Sequence, residues 1–441
     1  MTNPLQSGIW ILRLSLGITV GLALAVVLTA ATPSAQAQYT VLHNFSGEPG
    51  DGANPFAGLT IDSRGNLYGT TVHGGTTGYG EVFMLKRSGS TFTFNPLYSF
   101  TGGGDGAGPY ARVVFGPSGA LYGTAAAGGD QGCHYGEWKG CGTVFSLRPP
   151  ATACKTALCP WTQSLLYTFT GSPDGGEPQG DLKFDAAGTI YGTTVLGGIG
   201  PDKGLGTIYH LSPSGGGWSE EILYQAPGED IGGYPYDGVV FDTFGNLYGV
   251  FAAYGPTGAG AVYQLTPSGS SWSESTIGGF LDANTDGNVP EGGLIIDQAG
   301  NLYGTTTNAG SEGGGTVFQL MPPGGSWTFS VLYSLANGPE GGTENGPEAK
   351  LAMDAAGNLY GTTVRDGKYG YGSVFKLTPP YGQQNYTPLY DFCLDAPVCS
   401  DGAHPISNVS LHYTNGVVDA LYGTASAGGS QGHGVVWEIT P

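Results

Sequence analysis

The chain has 441 residues, among them 82 glycines and 26 tyrosines, and carries a formal charge of −20 with only 14 Lys and Arg. Nucleic acids and anionic membrane surfaces are bound through basic patches that release counterions, so this balance excludes both as partners. It suits an acidic extracytoplasmic protein whose partners are cations, glycans or other proteins.

Arg13 is the only charged side chain in the first 37 residues, Leu14 to Ala31 is almost wholly apolar, and Ala35-Gln36-Ala37 follows. This is the layout of a secretory signal (residues 1–37), with cleavage expected after Ala37. The competing expectation is a retained anchor, because the apolar run with its flanks is long enough to span a bilayer. No second such run follows, so residues 38–441 are expected to form one secreted, periplasmic or cell-surface domain without a further membrane crossing.

From there the chain repeats. Leu-Tyr-Gly or Ile-Tyr-Gly recurs at Tyr68, Tyr122, Tyr191, Tyr248, Tyr303, Tyr360 and Tyr422, at intervals of 54 to 69 residues. In one period, Gly293–Asp297 is a short apolar strand, Leu302–Thr306 a second, Gly315–Leu320 a third and Trp327–Leu335 a fourth. Gly, Pro and Asn turns separate them, which describes an antiparallel meander. These strands are apolar on both sides, as expected when sheets stack radially in a propeller. The glycine inside each second strand is expected to let adjacent blades approach near the axis.

The two ends complete the scheme. Gly434–Ile439 matches a third strand, and Tyr39–Phe45 matches a fourth, as in Pro96–Phe100. The N-terminal strand is therefore expected to complete the last blade and close the ring, removing exposed sheet edges. The expectation is an all-β, seven-bladed propeller of four-stranded antiparallel blades, functioning as a monomer.

The set Gly-Asn-Leu-Tyr-Gly-Thr-Thr, Gly-Gly, Gly-Thr-Val-Phe-x-Leu, clearest at residues 65–85, 300–320 and 357–377, resembles the GloVer tandem repeat of secreted bacterial proteins. The resemblance implies an extracytoplasmic repeat protein with a choice of C-terminal anchors, though this sequence ends at Pro441 without a sorting or membrane tail. It brings no biochemical activity and no catalytic residue.

Loops between strands two and three and loops between blades should share one rim, here called the top. There Asp-Gly-x-x-Pro recurs, placing Asp51, Asp105, Asp174, Asp286 and Asp401 before a turn and a strand entry. The same residues are candidates for a carboxylate ring at the channel mouth, holding a cation or a hydroxylated ligand. Tyr110, Tyr135, Trp138 and Tyr236 in these loops offer aromatic faces to a glycan. Asp282, Asn284 and Asp286 with Gly287 match the start of a calcium loop, but Gly293 stands where its bidentate Glu belongs. Calcium is thus the one candidate ion, and no other cofactor is indicated.

The cysteines pair by proximity in an extracytoplasmic chain: Cys133 with Cys141, Cys154 with Cys159 and Cys393 with Cys399. Gly428-Gly429-Ser430-Gln431-Gly432 fits a serine-hydrolase pattern, yet Asp130 replaces the serine in the equivalent loop of blade 2, so it is a repeat loop. The expected function is a binding module with ligand contacts on the top rim, for a glycan or a protein. The rivals are a polysaccharide-active enzyme using paired rim carboxylates and a structural envelope component.

Overall fold

The computed structural model describes residues 37–134, 137–150, 161–200, 204–322, 326–339 and 346–440. Residues 1–36 of the expected signal segment, Tyr135 and the Cys154/Cys159 pair lie outside these residues. Among the described residues no helix is long and apolar enough to cross a membrane.

Seven four-stranded antiparallel sheets are present, each running from a short inner strand to a long outer one. Blade 1 is Thr60–Ile61, Leu67–Thr71, Glu81–Ser88 and Thr91–Ser99. Blades 2 to 6 repeat that order, their second strands being Leu121–Ala125, Ile190–Thr194, Leu247–Phe251, Leu302–Thr306 and Leu359–Thr363. In blade 7 the strands Ser410–Thr414, Val417–Ala425 and Val435–Thr440 are completed by Gln38–Asn44, which pairs antiparallel with the last of them from Gln38↔Thr440 to Asn44↔Val435. The ring closes as its chain ends imply.

The core lies between sheets. One apolar cluster joins Tyr122 and Val144 of blade 2 to Leu182, Ile190 and Tyr209 of blade 3. Another joins Tyr422 and Val436 of blade 7 to Leu59, Leu67 and Phe83 of blade 1. Every residue of the second strand is consequently buried in blades 1 to 6, as in Leu67–Thr71, and in blade 7 from Ala420 to Ala425.

The glycine of the second strand works differently from expectation. A Cβ on Gly69 would lie 2.5 Å from Phe83 Cζ, and one on Gly423 would lie 2.2 Å from Trp437. These rings belong to the same blade, directly opposite in register. The glycine makes room for a cross-strand aromatic, which covers the bare backbone. Neighbouring blades are instead joined by the next residue. Thr70 Oγ1 donates to Ala111 O (3.0 Å), Thr362 Oγ1 to Ser407 O (2.9 Å) and Thr424 Oγ1, across the ring closure, to Ala57 O (2.9 Å).

The interblade loops and the loops between strands two and three do share a rim, since they pair with one another. Gly52–Ala53 pairs with His73–Gly74, and single bridges repeat this at Ala107↔Ala127, Gly176↔Leu196, Gly233↔Ala253, Asn288↔Asn308 and Ala403↔Ala427.

Blade 1 carries one misfit. Where the second and third strands meet, blades 3, 5 and 6 pair hydroxyls, Thr194 with Thr207 (2.8 Å), Thr306 with Thr316 (2.9 Å) and Thr363 with Ser373 (2.8 Å), and blades 2, 4 and 7 place an uncharged pair there. Blade 1 opposes Thr71 to Glu81, which is fully buried and whose carboxylate meets no donor at good geometry. Burial and the neighbouring Asp51 charge push the Glu81 pKa up to about 8, the Gly52 N–H only partly opposing them. A carboxyl whose pKa rises on folding costs nothing while protonated in both states. Its penalty accumulates as pH rises from the unfolded value near 4.5 through about 8. At roughly 1.4 kcal/mol per unit, that penalty reaches roughly 5 kcal/mol at alkaline pH. Glu81→Thr should therefore unfold at higher temperature than the parent at pH 9, with the gain shrinking steadily towards pH 5. A pH-independent difference in thermal unfolding would disprove this account.

Candidate functional site

The inner strand of each blade starts a few residues after the interblade proline, and its side chains alternate. The residue four after the proline points into the blades and is buried: Leu59, Val113, Leu182, Val239, Leu294, Leu351 and Val409. Residues one, three and five after the proline point to the axis, as period-two geometry requires. Seven inner strands thus build three layers of an axial channel.

The uppermost layer lines a chamber of about 280 Å³ to which all seven blades contribute. Ile406, Phe56 and Tyr110, from blades 7, 1 and 2, form a contiguous apolar arc, with Phe56 and Tyr110 edge-to-face at 5.4 Å. Gln179 and Tyr236 follow from blades 3 and 4, and Glu291 and Glu348 from blades 5 and 6 form an acidic arc opposite. Burial, then repulsion from Glu137 and Glu177, raises the Tyr110 pKa, so its hydroxyl stays protonated and able to donate.

The second layer crosses the channel as a belt of charge. Arg112 Nη2 meets Asp181 Oδ2 at 2.7 Å, and the Arg112 backbone N–H donates to Asp181 Oδ1. Lys350 Nζ meets Asp237 Oδ2 at 3.1 Å. The Asp237 carboxylate also accepts the backbone N–H of Asp181 (3.2 Å), Gly238 (2.6 Å) and Gly293 (3.1 Å), and so ties together blades 3, 4, 5 and 6. A Cβ on Gly293 would lie 2.3 Å from that carboxylate, which explains why glycine stands there. Burial works against ionisation of Asp237, but Lys350 and these N–H donors outweigh it and hold its pKa below the usual carboxylate value. Arg112 and Lys350 line the upper chamber and also two cavities below, so they form the waist of the channel.

Of the residues singled out in the sequence, Tyr110 and Tyr236 line this chamber. The recurrent aspartates do not. Asp105 accepts from Thr101 N (2.9 Å) and Tyr98 Oη (2.9 Å), Asp174 from Thr170 N and Tyr167 Oη, and Asp401 from Cys393 N and Tyr390 Oη. Asp51 accepts from Ser46 N and lies 3.0 Å from His43 Nε2. Each carboxylate tethers the loop leaving the outermost strand, and none lines the three cavities of the channel. Trp138 packs over Gly108 beside His73 and Tyr79, away from the chamber.

Asp282 caps the one-turn helix Ala283–Asp286 by accepting from Asn284 N, and Asp286 accepts from Leu281 N and Asp282 N. One oxygen of each aspartate, Asp282 Oδ1 and Asp286 Oδ2, is thus committed to backbone donors, and Asp286 Oδ1 accepts from Thr285 Oγ1. Among the described residues no three His, Cys, Asp or Glu side chains converge as a ligand group. The disulfides Cys133–Cys141 and Cys393–Cys399 are formed as proximity implies.

The charged belt was the missed signal. Aligning repeats on the interblade proline shows small or neutral residues such as Gly58, Gly238 and Asn408 three positions on, against Arg112, Asp181 and Lys350. Two positions on, Asp237 replaces the Ala, Gly or Ser of every other blade.

A family model described as the Gloeobacter/Verrucomicrobia repeat matches residues 26–159, 132–346 and 277–441. No curated protein matches the chain. Among solved structures, one from B. thetaiotaomicron, described as the extracellular domain of a hybrid two-component system, is 11% identical with a TM-score of 0.54. The match covers 92% of this chain and 42% of that one, so the chain spans less than half of its length, and the likeness is one of fold alone. A protein of unknown function from Dyadobacter fermentans DSM 18053 is also 11% identical, with a TM-score of 0.45 over 92% of this chain and 100% of that one.

Proposed function

The chain belongs to the Gloeobacter/Verrucomicrobia repeat family, and from that premise we propose that it is an extracytoplasmic binding module that takes the end of a glycan into the upper chamber of its channel. The observation that carries the reading is the division of that chamber into an apolar arc at Ile406, Phe56 and Tyr110 and an acidic arc at Glu291 and Glu348. A sugar ring is amphipathic in the same sense. Its C–H face stacks on an aromatic side chain while its hydroxyls donate to carboxylates and amides. At about 280 Å³ the chamber is at the small end for ligand pockets, which suits a chain terminus better than a chain interior. The disulfides support residence in an oxidising compartment.

A glycan array followed by calorimetry on the best ligand tests this. Tyr110→Ala should weaken that ligand at least tenfold, equivalent to about 1.4 kcal/mol, without shifting thermal unfolding by more than a few degrees. Adding calcium should leave affinity unchanged, because no rim carboxylate is needed for the contact. Inertness across a broad array, or binding indifferent to Tyr110, would sink the reading.

The enzymatic alternative draws on the presence of two carboxylates, Glu291 and Glu348, from adjacent blades in one chamber. Release of reducing ends from a polysaccharide panel, abolished by Glu348→Gln, would establish it in place of simple binding.

A further inference from the structure

Below the waist the channel changes character. Five residues after the interblade proline stand Val114, Val240, Ile295 and Ala352 in four blades and Thr60 and Ser410 in two, but Lys183 in blade 3. The two cavities here measure about 270 and 520 Å³, and both are lined by Arg112, Ile295 and Lys350. Lys183 lines the smaller, among Val240, Phe241 and Ile296.

The charges of this region do not balance. Asp181 answers Arg112 and Asp237 answers Lys350, each within 3.1 Å. The solvent-exposed side chain of Lys183 has neither a hydrogen bond nor an ion pair among the described residues, and Arg112 Nε is a buried donor without an acceptor. A chain of net charge −20, with only 14 cationic side chains, therefore places a solvent-exposed ammonium without an ion-pair partner and a buried, unused guanidinium donor in a largely aliphatic stretch of the channel. The buried Arg112 Nε–H stays unsatisfied until an acceptor reaches it, and an anion there would meet the Lys183 ammonium as well. Partial desolvation in the channel and repulsion from Lys350 and Arg112 weaken the hold of Lys183 on its proton, with Asp181 opposing them.

We propose that the lower half of the channel binds a monocarboxylate with an apolar body, its carboxylate between Lys183 and Arg112 and its hydrocarbon along Val114, Val240 and Ile295. The acidic exterior does not forbid this, because a Debye length of about 8 Å at physiological ionic strength screens surface carboxylates from the axis. Arg112 at the waist borders both spaces, but Lys183 and the aliphatic layer line only the lower one and Tyr110 only the upper, so either can fail without the other.

The probe is octanoate, titrated calorimetrically into the full chain, with 1-octanol, octyltrimethylammonium and inorganic phosphate as comparisons. Octanoate should bind once per chain, with the three comparison compounds at least tenfold weaker. Lys183→Gln should lose at least tenfold in octanoate affinity, while Lys183→Arg should keep it within about threefold. Because Lys183 has no bonded partner, both variants should unfold with the parent. Tyr110→Ala should bind octanoate as the parent does. Absence of octanoate binding, equal binding to Lys183→Gln, phosphate binding as tight as octanoate, or loss of octanoate in Tyr110→Ala would each overturn the proposal.

Discussion

A chain lacking Gln38–Phe45 is expected to lose cooperative folding at ambient temperature. The segment is the outermost strand of blade 7, and its removal exposes the edge of Val435–Thr440 along the whole register. It also removes Phe45, which is fully buried against Phe83 and Phe94, and Tyr39, which stacks on Tyr390 at 3.9 Å. Truncating one large buried aromatic costs about 3–5 kcal/mol, and a domain of this kind is stable by only about 5–15 kcal/mol in total. Losing Phe45, the remaining apolar contacts and a full strand ladder together exceeds that margin. Chemical denaturation followed by tryptophan fluorescence is the direct measurement. A truncated chain with the parent midpoint would refute the closure as a structural necessity. Reduction of Cys393–Cys399, whose sequence separation is only six residues, should cost far less, because the chain-entropy contribution grows with loop length.

Asp237→Ala is expected to destabilise the ring by about 3–5 kcal/mol, the usual consequence of removing one partner from a buried ion pair. Lys350, with a side chain only 13% exposed, would be left uncompensated, and the N–H groups of Asp181, Gly238 and Gly293 would lose their acceptor. Asp237→Asn should cost less, since an amide oxygen still accepts from the backbone while the charge is lost. The pH dependence has the opposite sign to that of Glu81. A carboxyl whose pKa falls on folding contributes stability that is present above its unfolded value near 3.8 and lost as pH falls through the lowered folded value. The parent and Asp237→Ala should therefore converge in strongly acid solution and diverge above pH 4. A destabilisation below about 1 kcal/mol at neutral pH would show that the belt is dispensable to the ring.

These two tests separate what the repeat does from what its exceptions do. The Leu-Tyr-Gly-Thr core was legible because each of its residues has one local task repeated around the ring. The leucine fills an interblade cluster, the glycine admits the facing aromatic, and the threonine clasps the next blade. The recurrent Asp-Gly-x-x-Pro was equally visible, but its repetition pointed to the channel mouth when its hydrogen bonds face the outer strand. The side chains that do reach the axis follow the proline, and repetition hid them, because their importance lies in differing from blade to blade. Arg112, Asp181, Asp237 and Lys350 look unremarkable one at a time.

By itself the sequence determined the number of blades, the four-strand order within each and the closing role of Gln38–Asn44. These follow from local alternation, turn chemistry and the offset between the two chain ends, all of which act within a single repeat or across one ladder. Only the tertiary structure decided which residues meet at the axis. Ring closure brings together side chains from seven blades, and a single-residue alternation selects the ones that face inward. Charge pairing across that axis then joins Arg112 to Asp181 and Lys350 to Asp237, leaving Lys183 alone in the apolar layer. Electrostatic partners are chosen by distance in space, and distance in space exists only once the ring is complete.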